Sequence, residues 1–362
     1  MPLSSYAFSF GRLQSMSTNF ISKDTIQNLL KAEDVTEMTR ILESTPYGPE
    51  IERASALYPP PENLEVALNR RLVEINKIVL ETVPFNGKTA IRAYLLKWDI
   101  HNIELILSSK IIGRTITETE PFLVSSRNFP AGISAGNISH DEMKIILSQS
   151  GVEGVVNYLV KYKYGSIIMK HFDNFQKTKD LSQMMVDLLS YYYTNLLEPL
   201  KFFQGDEGLI RDVIRAQIDK KNIMSLLKGK DSNLDRELVK KRVIEGGHIP
   251  LNELYEMFGS KNVEEFVNRI EEHLIMGDLL ETYRKTHSLI DFEVAMDQYI
   301  NIKYVQKLKN IGLSIGYVFH FIFQAEFEWD NIKRIAYGKR YGLPMDRIKT
   351  MLVFEWENRE GK

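Results

Sequence analysis

The chain has 362 residues, 44% hydrophobic and 26% charged, with 46 Lys+Arg against 48 Asp+Glu for a formal charge of -2. That length is too great for one small binding domain, the composition excludes intrinsic disorder, and the charge balance argues against a dedicated nucleic-acid binder. There is no cysteine, which excludes disulfides, thiolate metal sites, iron–sulfur clusters and cysteine nucleophiles, and fits a cytoplasmic compartment.

Met1 to Ser15 shows no basic region followed by an apolar run and a cleavage site, so no secretory signal is expected. The spacing from Ile21 to Leu30 and from Val35 to Leu42 predicts two short helices. Leu64, Ala67, Leu68, Leu72, Ile75 and Ile78 then follow the spacing of a long amphipathic helix, with Pro59, Pro60 and Pro61 before it and Pro84 and Gly87 after it. Gly87-Lys88-Thr89 resembles the tail of a phosphate loop, but the first glycine of that motif would fall on Thr82, and the tripeptide reads as a loop before the next helix. Asp99, Asn102, Ile103, Ile106 and Lys110 form one helical stripe. From Ile112 to Asn137 the chain reads as a long joint.

The same order then recurs. Ile138 to Leu147 and Val152 to Leu159 predict a second pair of short helices, and Leu181, Met184, Met185, Leu188, Tyr192 and Leu196 a long one, closed by Pro199. Asp219, Asn222, Ile223, Leu226 and Lys230 repeat the stripe. A third pair opens at Ile249 and Val263. The most apolar stretch, Ile311 to Phe323, is interrupted by Ser314 and His320 and falls short of the ~20 apolar residues that cross a bilayer, so it reads as a core helix. Glu328, Asn331, Ile332, Ile335 and Lys339 carry the stripe a third time, and Leu343-Pro344 reads as the start of a truncated fourth pair.

This internal repeat is the most informative feature of the sequence. In the three hairpins the opening Ile21, Ile138 or Ile249 precedes Val35, Val152 or Val263 by fourteen residues. Ser22, Ser139, Pro250 or Pro344 stands at the first turn, where a hydroxyl or a missing N–H suits the orphan donors, and Tyr47-Gly48, Tyr164-Gly165 and Gly277 are expected as helix stops. In the stripes, offsets of 0, +3, +4, +7 and +11 share one helix face, and the spacings between copies are 120 and 109 residues. The acid is expected to open the helix and the lysine to close it, matching the macrodipole. Arg12-Leu13 falls on Arg334-Ile335, so the two terminal stretches read as fragments of one equivalent unit, which invites closure.

Few residues point to chemistry. The seven histidines are scattered, and neither a His-Glu-x-x-His nor paired Glu-x-x-His helices occur. Tyr191, Tyr192, Tyr193, Phe319, Phe321 and Phe323 fit core packing better than a ligand box. The nine polar repeat positions, Asp99, Asn102, Lys110, Asp219, Asn222, Lys230, Glu328, Asn331 and Lys339, read as structural. Catalysis concentrates in one asymmetric constellation, and a mid-helix Asn is usually kept by a hydrogen bond to neighbouring backbone. A partner-facing role with Lys110, Lys230 and Lys339 on one rim is the competing reading.

The three-repeat pattern, the opening Tyr6, Gly11-Arg12-Leu13, and above all Glu328-Trp-Asp-Asn331-Ile332-Lys-Arg334-Ile335-Ala-Tyr-Gly338-Lys339 followed by Gly342-Leu343-Pro344 resemble the C subunits of the archaeal A-type and bacterial V-type ATP synthases, related to the d subunit of the eukaryotic vacuolar proton pump. Gln14, where the family often has a second basic residue, and the long joint from Ile112 depart from that pattern. The resemblance implies an all-α fold of three similar helical modules in a pseudo-threefold closed funnel. It implies a non-catalytic rotor part with no cofactor, no metal, no small-molecule substrate and no nucleic acid, peripheral at the cytoplasmic face of the cell membrane. The implied partners are the central-shaft subunits and the membrane proteolipid ring. The expected organisation is 1–20 completing the third module, modules at 21–137, 138–248 and 249–342, and a partial repeat at 343–362. Arg114, Lys228 and Arg340, in inter-repeat turns, are the candidate partner contacts. A generic helical-repeat scaffold holding a protein partner in its groove is the alternative.

Overall fold

Leu64, Ala67, Leu68, Leu72 and Ile75 lie buried on the helix Glu62–Thr82, and Met184, Met185, Leu188, Tyr192 and Leu196 on the helix Ser182–Leu200. Their three- and four-residue spacing puts each set on one face, and each fully buried Leu or Ile contributes about 1.5–3 kcal/mol. The structure, a computed structural model, describes residues 5–125 and 137–353, so parts of the 112–137 joint and of the 1–20 and 343–362 segments lie outside it. Every element among the described residues is a helix or helical turn.

Each long helix turns back into a second one that carries the acid, Asn and Lys. Glu62–Thr82 is followed by Phe85–Leu95 and Lys97–Ile111, Ser182–Leu200 by Leu209–Asp231, and Leu289–Ile300, prolonged through Asn301–Val305 and Gln306–Leu308, by Ile315–Arg340. The short pairs are Lys23–Lys31 with Val35–Glu43, His140–Ser148 with Gly151–Leu159, and Leu251–Phe258 with Val263–His273. Ser22 and Ser139 cap their helices by accepting the N–H of Thr25 (3.1 Å) and Glu142 (3.3 Å), while Pro250 and Pro344 occupy the cap position itself. The apolar stretch begins later than expected: Ser314 caps Ile315–Arg340, leaving Ile311 to Leu313 in the preceding turn, and Ile315 to Phe323 are buried on all sides. No helix among the described residues is long and apolar enough to cross a membrane.

The hairpin glycines do not stop helices. Gly48 opens the helix Gly48–Ser55, and Gly165 lies within Tyr164–Ile168. A Cβ on Gly48 would collide with the Glu43 carbonyl oxygen, and one on Gly165 with the Val160 nitrogen. Glycine is needed because the new helix presses its backbone against the end of the previous one. Gly277 likewise opens a 3-10 turn, at φ +51°. Gly87-Lys88-Thr89 is not a loop but part of Phe85–Leu95, and a Cβ on Gly87 would meet Tyr6 Oη and Val83 Cγ1 at 2.6 Å.

Two buried clusters result. The larger runs from Tyr6 and Leu13 through the long helices to Ala325. The smaller joins Ile26, Leu29, Met38, Leu42 and Ile51 to Leu64 and Leu68, and to Ile332, Ile335 and Ile348 from the far end of the sequence. The helix Ala7–Ser17 lies along Ile315–Arg340, with the rings of Phe10 and Tyr317 4.6 Å apart and those of Phe20 and Phe321 5.2 Å apart.

Two glycine substitutions of opposite sign test this packing. Gly48→Ala is expected to cost about 1–3 kcal/mol through the collision with Glu43. Gly11→Ala, mid-helix with nothing within 4 Å of the added carbon, is expected to gain about 0.5–1 kcal/mol in denaturant unfolding.

Candidate functional site

The three stripes make the same set of bonds. In the first, Asp99 Oδ2 accepts the N–H of Asn137 (2.8 Å) and Oδ1 that of Ile138 (3.2 Å), so the acid holds the entry of the following hairpin. In the second, Asp219 accepts the N–H groups of His248 (3.0 Å) and Ile249 (3.1 Å). In the third, Glu328 Oε2 accepts the N–H of Ile21 (2.6 Å), 307 residues away.

Asn102, Asn222 and Asn331 each clamp the peptide of the residue 22 positions on, accepting its N–H and donating to its carbonyl. The distances are 2.8 and 3.1 Å to Val124, 2.7 and 2.7 Å to Ile244, and 2.8 and 2.6 Å to Val353. A side-chain amide, with an acceptor oxygen beside a donor nitrogen, satisfies both groups of one buried residue's backbone in this way. The lysines reach the carbonyl nine residues after the opening isoleucine of the hairpin: Lys110 to Leu147 (2.6 Å), Lys230 to Phe258 (2.8 Å) and Lys339 to Leu30 (2.7 Å). All three lysines are half-buried and engaged, which does not fit an exposed rim.

Each clamp carries two further features that the sequence reading missed. Fourteen residues after the acid, Gly113, Asn233 and Gly342 have φ of +73°, +51° and +67°, and the next N–H returns to the carbonyl of Ser109, Gly229 or Gly338. That αL turn ends all three helices. In the second and third copies the residue at offset +10 is glycine because the residue at +20 sits on it. A Cβ on Gly229 would lie 2.8 Å from Val239, and one on Gly338 2.6 Å from Ile348. The sequence signal was a Ser/Gly/Gly column one position before the lysines.

These registers revise three expectations. The acid does not open its helix in every copy: Asp99 is in a first turn, but Asp219 and Glu328 are mid-helix, so their role is to tether backbone rather than to offset a dipole. The helix Met345–Thr350 stands where Ile116–Thr119 and Arg236–Lys240 stand, between a stripe and its Asn-clamped residue, so Leu343-Pro344 opens this linker and not a fourth hairpin. Ile21 is held by Glu328, and the helix Ala7–Ser17, which offers no acid, packs beside Ile315–Arg340 instead.

The copies differ in the third donor. Tyr164 Oη donates to Asp99 (2.8 Å) and Tyr47 Oη to Glu328 (2.7 Å), while the corresponding Ile275 is exposed and His248 Nδ1 lies 3.0 Å from Asp219 in its place. Burial pushes Asp99 up to about 6 and Glu328 up to about 7, against the opposing effect of the bonds they accept. The three helices also meet along one charged face. Lys97 and Glu326, each two residues before its acid, pair at 2.5 Å, and Tyr94 Oη donates to Glu326 (2.6 Å). Two residues after the acids stand His101, Lys221 and Asp330. Burial and then the nearby Lys333, Lys221 and Lys97 hold the His101 imidazole down at about 4, hence neutral at neutral pH. Arg334 bridges Asp330 (2.6 Å) and Asp297 (2.9 Å), and Asp297 also takes Lys220 (2.5 Å).

Arg114, Lys228 and Arg340 are exposed at the C-terminal ends of these helices. No group of three or more His, Asp or Glu that could hold a metal ion occurs among the described residues. The aromatics Tyr192, Tyr193, Phe319, Phe321 and Phe323 are buried in the larger cluster, with Tyr191 packed against it.

The sequence profile of the ATP synthase (C/AC39) subunit family matches residues 10–351. The chain belongs to this family. Among its relatives, the A-type ATP synthase C subunit of Thermoplasma acidophilum is 33% identical over 352 residues, covering 97% of this chain and 99% of that protein. The C subunit of Thermoplasma volcanium is 32% identical over 348 residues, covering 96% and 98%, and that of Methanocaldococcus jannaschii is 24% identical over 355 residues, covering 97% and 87%. The C/AC39 match takes in all nine polar repeat positions, together with Ile21, Ile138 and Ile249.

In this C/AC39 chain, Asn222→Ala strands both buried backbone groups of Ile244. The expected loss is about 2–4 kcal/mol in chemical denaturation, against less than about 0.5 for the exposed Lys228→Ala. Asp99 and Glu328 hold their protons more tightly folded than unfolded. The stability they contribute is therefore complete below the ordinary carboxylate range and is lost as pH rises through about 6 and about 7. Glu328→Gln is expected to flatten the fall of Tm over that window, and a slope equal to wild type would show that Glu328 does not titrate there.

Proposed function

We propose that the chain is a non-catalytic central-stalk subunit of a rotary A/V-type ATP synthase, coupling the shaft of the soluble head to the membrane proteolipid ring. In this reading the modules at 21–137, 138–248 and 249–342 close into a pseudo-threefold funnel, peripheral at the cytoplasmic face of the membrane. The single observation that carries it is the third clamp. Glu328, Asn331 and Lys339 make with Ile21, Val353 and Leu30 the bonds that the other two stripes make with the hairpin and linker that follow them in sequence. An open solenoid would leave those donors and acceptors at a free edge.

A coupling part has to resist twisting. Clamps that tie each helix to the next hairpin, and the salt-bridged face where the helices meet, stiffen the molecule against shear between modules. The relatives named as A-type ATP synthase C subunits support a place in such a complex. Stripping the chain from inverted membrane vesicles is expected to leave ATP hydrolysis by the head while abolishing ion pumping, and adding it back to restore pumping driven by that hydrolysis. Undiminished pumping in its absence would reject the coupling role.

A further inference from the structure

The third clamp lacks two bonds that its counterparts make. Asp99 and Asp219 each accept two consecutive backbone N–H groups, those of Asn137 and Ile138 and those of His248 and Ile249, whereas Glu328 accepts only that of Ile21 among the described residues. In the second copy the residue four before the acid, Arg215, also donates through Nη2 to the carbonyl of Gly247 (2.9 Å). Gly247 lies on the stretch that joins the Asn-clamped Ile244 to the hairpin entry at Ile249. The residue four before Glu328 is Gln324, on the same helix face, and its Nε2 is buried with no hydrogen-bond partner among the described residues. A buried donor without a partner is costly, so the position calls for an acceptor.

Both gaps open on one cleft. It has a volume of about 410 Å³ and lies between the helices Ala7–Ser17 and Ile315–Arg340, with Phe20, Tyr317, Phe321 and Phe327 along its wall beside Gln324 and Glu328. In the second copy the chain itself crosses from the Asn-clamped Ile244 to His248 at the acid. In the third, Val353 is clamped by Asn331 at the wall of the cleft, and the hairpin entry is supplied by Ile21 instead.

We propose that residues 354–362, which follow Val353 and lie outside the described part of the structure, bind back into this cleft as a strap that completes the third clamp. Three observations choose this occupant. The strap starts at the cleft itself, because Val353 lines it. What Glu328 and Gln324 lack is an N–H donor and a carbonyl acceptor, the two groups that a peptide backbone supplies. The sequence Phe354-Glu355-Trp356-Glu357 alternates, so an extended strap turns Phe354 and Trp356 to the aromatic wall and Glu355 and Glu357 outward, where the exposed Lys309 stands at the rim. Seated there, it ties Ala7–Ser17 to Ile315–Arg340, whichever subunits the chain joins.

The test uses the full chain and reads Trp356. Subtracting the emission of Trp356→Phe from that of the wild type separates Trp356 from Trp98 and Trp329. The difference spectrum is expected to be blue-shifted and quenched by acrylamide severalfold less than in the urea-unfolded chain. Gln324→Leu, close in size but without the donor, is expected to raise the quenching severalfold, while Gln324→Arg, which restores the second copy's donor, keeps it low. Phe354→Ser, outside both buried clusters, serves as a second variant: it is expected to expose Trp356 and to speed amide exchange at Ile21 while leaving exchange at Ile138 unchanged. Trp356 as open to acrylamide in the folded chain as in the unfolded one overturns the strap. A small molecule released on denaturing the purified chain, with Trp356 freely quenched, makes the cleft a ligand site and also overturns it. Protection of Trp356 that survives both Gln324→Leu and Phe354→Ser overturns its placement in this cleft.

Discussion

A carboxylate taken out of water within a helix needs donors for its oxygens, and here those donors fix the start of the next hairpin. Asp99, Asp219 and Glu328 each accept at least one backbone N–H from a hairpin's entry and a further donor from Tyr164, His248 or Tyr47. The rest of the packing depends on that tether. With the entry pinned, the reach of the Asn amide to the linker and of the Lys ammonium to the hairpin's far carbonyl sets the hairpin's tilt, and the apolar faces close over them. Removing the acid would leave one or two backbone N–H groups and a side-chain donor without their partner at once.

The third clamp uses the same chemistry over the whole length of the chain. Glu328 and Ile21 are 307 residues apart, and the smaller buried cluster forms from residues near both of them. Bringing such distant segments together carries an entropic cost that grows only slowly with loop length, so the same few bonds suffice for a separation of 307 residues as for one of 39. Where the helices meet, opposed charges lie beside aromatic contacts: Lys97 with Glu326, and Asp297 with Arg334 and Lys220, next to Trp98 against Trp329 and Tyr94 against Phe319. Such pairs resist sliding because each has a preferred geometry, which suits the stiffness that the proposed coupling role demands.

Parts of this arrangement are legible in the residues because they recur in register. Helical spacing places the long amphipathic helices, and the matching offsets of Asp or Glu, Asn and Lys mark one face three times. The misreadings share one cause: each assigns a local role to a residue whose partner is distant. The acid reads as a helix opener, although Asp219 and Glu328 stand mid-helix. Gly48 and Gly165 read as helix stops, although they allow close approach of consecutive helices. Leu343-Pro344 reads as a hairpin start because a proline cap looks alike before either kind of helix.

The sequence by itself determined the all-helical character, the threefold recurrence and the family, since periodicity and spacing are properties of the chain alone. It could not say what the polar stripe holds, because a side chain's offset in a helix gives its face and not what lies across from it. Only the tertiary structure decided that Asn102, Asn222 and Asn331 each clasp the backbone 22 residues on, that His248 stands in for a tyrosine in the second copy, and that the third copy takes its hairpin from Ile21. Those choices depend on which distant backbone groups are left without partners once the helices have packed.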